Sequence, residues 1–312
     1  MSRVEHLALR RREALSEPHH PKPFLKWAGG KRQLMPVLKE HLPPSFKGYY
    51  EPFVGAGAML FDLQPRQAVI NDLNRDLITC YKVIKKHPQD LIAYLQSHRN
   101  DKDYFYELRA LDRHPEYDQM CEIMRAARMI YLNKTCFNGL FRVNRKGHFN
   151  APFGNYRNPN IVNEEGLMAV HRYISRGRLQ VFNTDFEEAV QTARRGDFVY
   201  FDPPYDPLSE TASFTCYQSG GFGRQEQYRL MCVVTELTRR GCRVMLSNSS
   251  TEYIRSLYKD FKIVRVAAHR MINSVGSGRG KIDEFLITNY DPETGALLGQ
   301  KRTRSSYTAL AI

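Results

Sequence analysis

Short runs rich in Val, Ile, Phe and Tyr recur along the chain, bounded by Gly, Pro or Asn. Runs of this length and composition read as strands. They predict strands at Tyr49–Phe53, Ala68–Asn71, Leu179–Asn183, Asp197–Phe201, Arg243–Ser247, Lys262–Ala267 and Glu284–Tyr290. Helical pattern separates most of them, at Lys31–His41, Asp76–Lys86, Glu164–Arg176, Arg224–Arg240 and Thr251–Tyr258. Such alternation predicts an α/β fold, a doubly wound and mostly parallel sheet of about seven strands. The last two strands flank a loop with Gly276, Gly278 and Gly280, and are expected to form an antiparallel edge pair.

The alternation stops between Lys82 and Asn160. Helical sequence dominates there through Asp118–Leu132, and FRVNRKGHFNAP then reads as a hairpin turning at Arg145-Lys146-Gly147. The expected division is a flexible basic tail (1–22, broken by Pro18 and Pro21), a first catalytic part (23–81), an inserted recognition domain (82–160), a second catalytic part (161–291) and a C-terminal tail (292–312).

Charge narrows the partner. The net charge is +13, which favours a polyanion, since each Lys or Arg laid on a phosphate releases a condensed counterion. From Ile123 to Asn163 there is no acid, while Arg125, Arg128, Lys134, Arg142, Arg145, Lys146 and Arg157 alternate with Tyr131, Phe137, Phe141, Phe149, Phe153 and Tyr156. The segment is expected to face nucleic acid; the competing reading is a solvated basic face over core aromatics. None of the six cysteines forms a CxxC pair, so buried, reduced thiols are expected rather than a zinc site. No apolar run approaches the roughly 18 residues of a membrane span, and no secretory signal is legible, so the expected location is cytoplasmic.

Three blocks carry chemistry. Phe53-Val54-Gly55-Ala56-Gly57-Ala58 follows the first predicted strand, and glycines at such a turn let a ligand approach the backbone. Asp72, ending the next strand, suits either the ribose hydroxyls of a nucleoside cofactor or the N-cap of the following helix. Asp202-Pro203-Pro204-Tyr205 follows the fourth strand. A carboxylate, carbonyls on stiff backbone and a flat ring suit an exocyclic amine on a base; the alternative is a proline turn closing a strand. Phe24-Leu25-Lys26-Trp27-Ala28-Gly29-Gly30-Lys31 contains the sole tryptophan, and its glycine pair between lysines suits an anionic ligand as well as a plain loop.

Taken together, FLKWAGGK, EPFVGAGA, INDLN, Thr184-Asp185-Phe186 and DFVYFDPPY resemble the Dam family of DNA adenine-N6 methyltransferases, in the motif order of its alpha group. The resemblance runs from about Phe24 to Tyr290 and takes in FNGLFR, FNAPFG and GSGRGKIDEFLITNY. It implies a Rossmann-like methyltransferase sheet carrying a helical and β-hairpin DNA-recognition insert. It implies S-adenosylmethionine as cofactor, without a metal, held by Trp27, Lys31, Phe53, Val54, Gly55, Ala56, Gly57, Ala58, Asp72, Asp185, Phe186 and Asp202. Asp202, Pro203, Pro204 and Tyr205 become the catalytic motif, and Lys26, Asn138, Leu140, Arg142 and Pro152 the DNA-reading residues, with GATC as the implied site. Double-stranded DNA is the implied partner. Single-stranded DNA and a cognate restriction endonuclease are secondary candidates. The implied reaction extrudes the adenine and moves the methyl by direct in-line displacement.

Overall fold

A computed structural model describes residues 20–27, 29–144, 146–207, 222–269 and 281–298. Seven strands form one sheet in the order β3-β2-β1-β4-β5-β7-β6. They are β1 (Tyr49–Glu51), β2 (Gln67–Asn71), β3 (Arg178–Phe182), β4 (Phe198–Phe201), β5 (Arg243–Ser249), β6 (Lys262–His269) and β7 (Lys281–Thr288). All pair in parallel except β7, which runs antiparallel to both β5 and β6. The doubly wound sheet and its antiparallel pair are therefore as expected, but of that pair β7 is an interior strand and β6 alone lies at the edge. The loop holding Gly276, Gly278 and Gly280 lies outside the described residues.

Strand residues alternate between two apolar layers, as period-two geometry requires. Tyr49, Ile70, Phe198, Tyr200 and Met245 bury on one face; Tyr50, Val69, Val199, Phe201, Val244 and Leu246 bury on the other. Each such side chain contributes about 1.5–3 kcal/mol on leaving water. The helix read at Lys31–His41 is a 3₁₀ turn, Lys31–Gln33, followed by a short α-helix, Met35–Glu40, with Pro36 in its first turn. The other helices of the alternation form within a residue or two of their predicted bounds, whereas the helical stretch read at Asp118–Leu132 is a 3₁₀ turn, Pro115–Gln119, followed by an α-helix, Glu122–Thr135. The short helices Ala58–Leu63 and Phe186–Ala189 were not anticipated.

Three helices occupy the interruption: Pro88–Gln96, Lys102–Ala110 and Glu122–Thr135. Leu91, Leu95, Phe105, Ala127 and Ile130 on them belong to the same apolar cluster as Tyr49 and Phe198, so the core is continuous from sheet to insert. The hairpin bridges Val143 to Phe149, with Asn150 N–H donating to Arg142 O at 2.9 Å and Gly147 at φ +82° in the turn. Arg145 lies outside the described residues.

Two arginines of the acid-free segment correct the charge reading. Arg125 and Arg128 are buried, not solvent-facing. Arg125 pairs with Asp76 at 2.6 Å, and Arg128 pairs with Asp112 at 3.0 Å and donates to Leu108 O at 2.6 Å. Tyr117 donates to the second oxygen of Asp76 at 2.7 Å. Their acids come from other elements, which a scan for acid along one segment does not see. Tyr131, Phe141 and Phe149 are likewise core residues. Arg142, Lys146 and Arg157 remain exposed. No helix among the described residues is long and apolar enough to cross a membrane.

Candidate active site and DNA-reading face

β1 and β4 flank the point where the strand order switches direction, and in such sheets the usual ligand position is a crevice outside the carboxyl ends of the strands there. The glycine turn lies at the end of β1. Gly55 (φ +49°) and Gly57 (φ +74°) adopt left-handed backbone, and a Cβ on either would collide: 2.8 Å from the Trp27 ring and 2.7 Å from the Tyr81 hydroxyl. Tyr81 donates to Gly55 O at 3.0 Å. Asp72, from the end of β2, accepts from Gly55 N at 3.1 Å and from Asn74 N at 2.9 Å. It is not the helix cap; Asn74 is, accepting from Leu77 N at 2.9 Å. Burial raises the Asp72 carboxyl to about 6, against the two backbone donors.

Asp202 to Tyr205 leave the end of β4. Lys31 Nζ lies 2.9 Å from Asp202 Oδ1, 2.8 Å from Gly29 O, and 4.8 Å from the centre of the Tyr205 ring. Burial raises the Asp202 carboxyl; the Lys31 charge and hydrogen bond oppose that rise. Lys31 was expected to meet a ligand's carboxylate, and in this structure its partner is the motif's own acid. Pro204 O accepts from buried Gln227 at 2.9 Å. Asn248 donates to Gln227 at 3.0 Å and accepts from Asp206 N at 3.2 Å, while Ser249 and Thr251 hold Asp206 at 2.7 and 2.8 Å. Gln227, Asn248 and Asp206 escaped the sequence reading because they are far apart in the chain. Glu51, at the end of β1, is buried against the Tyr49 hydroxyl at 2.8 Å and pushed up to about 8, chiefly by burial.

Asp185 caps the helix Phe186–Ala189 through Glu187 N at 2.9 Å and forms an ion pair with Arg229. Arg229 also lies 4.3 Å from the centre of the Phe186 ring, and Phe186 packs on Phe53 at 5.5 Å. Arg229 carried no sequence signal.

The segment Lys26–Lys31 ties this crevice to the insert. Buried Asn133 exchanges two hydrogen bonds with the Lys26 backbone (2.9 and 2.8 Å) and donates to Gly139 O at 3.0 Å. Trp27 lies against Gly55 on one side and stacks on Phe141 at 5.1 Å on the other. Lys26 Nζ lies 5.5 Å from the Tyr156 ring. Asn138 (φ +57°), Arg142 and Pro152 are exposed beside it and Leu140 is half-buried. Asn150 holds the Arg142 guanidinium at 2.7 and 3.1 Å. The structure thus brings all five expected DNA-reading residues onto the Cys136–Gly154 loop system and the Lys26 segment that Asn133 ties to it.

The family model and the relatives of similar sequence agree with one another. Residues 27–272 match the family model of D12 class N6 adenine-specific DNA methyltransferases. The chain is 46% identical over 271 residues to type II methyltransferase M1.LlaDCHI of Lactococcus lactis subsp. cremoris, covering 86% of this chain and 95% of that one. It is 42% identical over 289 residues to type II methyltransferase M.MjaIII of Methanocaldococcus jannaschii, covering 86% and 99%. To a DNA adenine methylase of Vibrio cholerae it is 34% identical over 270 residues, covering 84% and 94%.

Proposed function

Because the chain belongs to the D12 class of N6 adenine-specific DNA methyltransferases, we propose that it methylates adenine within GATC, on a base extruded from the duplex. The observation that carries this reading is the link through Lys26–Lys31: one stretch touches the exposed DNA-reading loop, the glycine turn and Asp202. The residues fit S-adenosylmethionine. Gly55 and Gly57 hold the left-handed backbone of a tight turn packed against Trp27 and Tyr81, Asp72 braces that turn through Gly55 N and has acceptor capacity left on its carboxylate, and Lys31 lies on Asp202. In this reading Phe53 to Ala58, Asp72, Asp185 and Phe186 hold the nucleoside, and Trp27, Lys31 and Asp202 the amino-acid end. When bound, the cofactor supplies an electrophilic methyl on a sulfonium, open to direct in-line displacement.

The chain's own groups then act on the base. Unstacking an adenine costs a few kcal/mol, and a Tyr205 ring stacked on it recovers part of that. Asp202 and the Pro203 carbonyl accept from the N6 amine, which raises electron density on nitrogen and aims its lone pair. Lys31 favours the ionised form of Asp202 that this role requires. Arg142 suits the O6 and N7 acceptors of a guanine. Two relatives carry the name type II methyltransferase, which supports a restriction endonuclease acting on the same site as a partner.

DNA from cells expressing the protein tests the reading. GATC sites should resist a methylation-blocked endonuclease and become substrates for a methylation-dependent one. Unchanged cleavage at GATC, with adenine methylation found in another sequence, would overturn the site assignment.

A further inference from the structure

We propose that Glu284, on β7, is a positioning residue for methyl transfer, acting through the hydroxyl of Tyr205. Tyr205 donates to Glu284 Oε2 at 2.7 Å. Glu284 lies opposite Ser249 of β5 and Val266 of β6, so ladders on both sides fix its backbone. The carboxylate is thus anchored in the sheet, while Tyr205 leaves β4 on a loop. A hydrogen bond at the para position removes the ring's freedom to slide and tilt. Charge adds to this. Lys31 lies over the same ring at 4.8 Å while bound to Asp202 at 2.9 Å. Glu284, Tyr205, Lys31 and Asp202 therefore form one connected row, anchored in the sheet at one end and ending at the motif's acid at the other. An acceptor on the hydroxyl also enriches the phenol ring, which favours the ammonium over its face. Losing Glu284 frees the ring, and with it the neighbour that holds Lys31 on Asp202.

This rests on the reading of Tyr205 as the face against which the extruded adenine stacks, and the test separates the two. Single-turnover methyl transfer is measured on a duplex with one target adenine, at saturating cofactor, for Glu284→Ala, Glu284→Gln, Tyr205→Phe and Glu284→Ala/Tyr205→Phe. A charged-acceptor hydrogen bond at this place corresponds to a loss of about tenfold or more in rate. Glu284→Ala and Tyr205→Phe should each show it, and the double variant should be no slower than either. Glu284→Gln, which keeps an acceptor oxygen, should recover most of the rate. Additive losses, an unimpaired Glu284→Ala, or a Glu284→Gln as slow as Glu284→Ala would overturn the proposal. If Glu284→Ala does not fold, Tyr205→Phe removes the same bond from the other side and Glu284→Gln decides. A duplex with 2-aminopurine at the target position reports extrusion separately. A flat signal with the parent protein refutes the extrusion reading, whereas the rate cycle still decides on Glu284.

Discussion

Lys31 Nζ and Asp202 Oδ1 lie 2.9 Å apart, with both side chains largely withdrawn from water. The pair joins residues 171 positions apart (202 − 31), one from a 3₁₀ turn and one from the end of β4. Burial alone drives a carboxylate toward its neutral form, and the ammonium is what opposes this.

Replacing Lys31 by Met should therefore raise the Asp202 carboxyl further. On the proposed mechanism the ionised carboxylate accepts from the amine, so the acid limb of the pH–rate profile should move to higher pH. Single-turnover rates at saturating cofactor across pH 5 to 9 check this (~0.5-unit steps suffice). An unmoved limb would mean that Lys31 does not set the ionisation of Asp202.

Glu51 offers a test in stability. Its folded carboxyl lies at about 8, above the ordinary value of 4.5, through burial. The folded protein then holds a proton that the unfolded chain releases, so this contribution is full below pH 4.5 and is lost as pH rises through 8. Glu51→Gln keeps an acceptor for Tyr49 and cannot ionise. Relative to the parent, it should gain on the order of a few kcal/mol between pH 5 and pH 8.5. Urea denaturation at the two pH values measures the difference.

Asp76 serves two buried arginines and a tyrosine at once. Asp76→Ala leaves Arg125 without its partner inside the core. Breaking a buried pair from one side costs about 3–5 kcal/mol. A fall in the thermal midpoint of well over ten degrees is not needed to see this; a shift of about 5 °C or more in calorimetry suffices. Stability equal to the parent would show that water reaches these guanidiniums.

Arg142→Ala should cost about 1–3 kcal/mol of discrimination at one guanine and leave non-specific binding nearly unchanged. Asn150 holds that guanidinium through side chain and backbone. Asn150→Ala should weaken discrimination at the same base pair, by less. Binding titrations over single-base variants of the site decide it, and uniform loss on all sequences would make Arg142 a phosphate contact.

Much of this was legible from the chain. The strand runs, the helix periods and the order of the motifs are local properties, carried by side-chain period and by backbone needs such as those of Gly55 and Gly57. They sufficed for the α/β sheet, the antiparallel pair and the family resemblance. Arg125 and Arg128 show where local reading ends: their charge was visible, but the acids that bury them lie on the helix Arg75–Lys86 and near Asp112.

The kinds of element, and the places of the glycine turn, Asp72 and Asp202 at the ends of β1, β2 and β4, were written in the sequence, because strand and turn preferences act over a few residues. Only the tertiary structure decided that Lys31 meets Asp202, that Asn133 joins Gly139 to Lys26, and that Glu284 holds Tyr205. Each of those contacts joins residues far apart in the chain. Coulomb attraction and hydrogen bonding act through space over a few ångströms, and folding alone sets that distance.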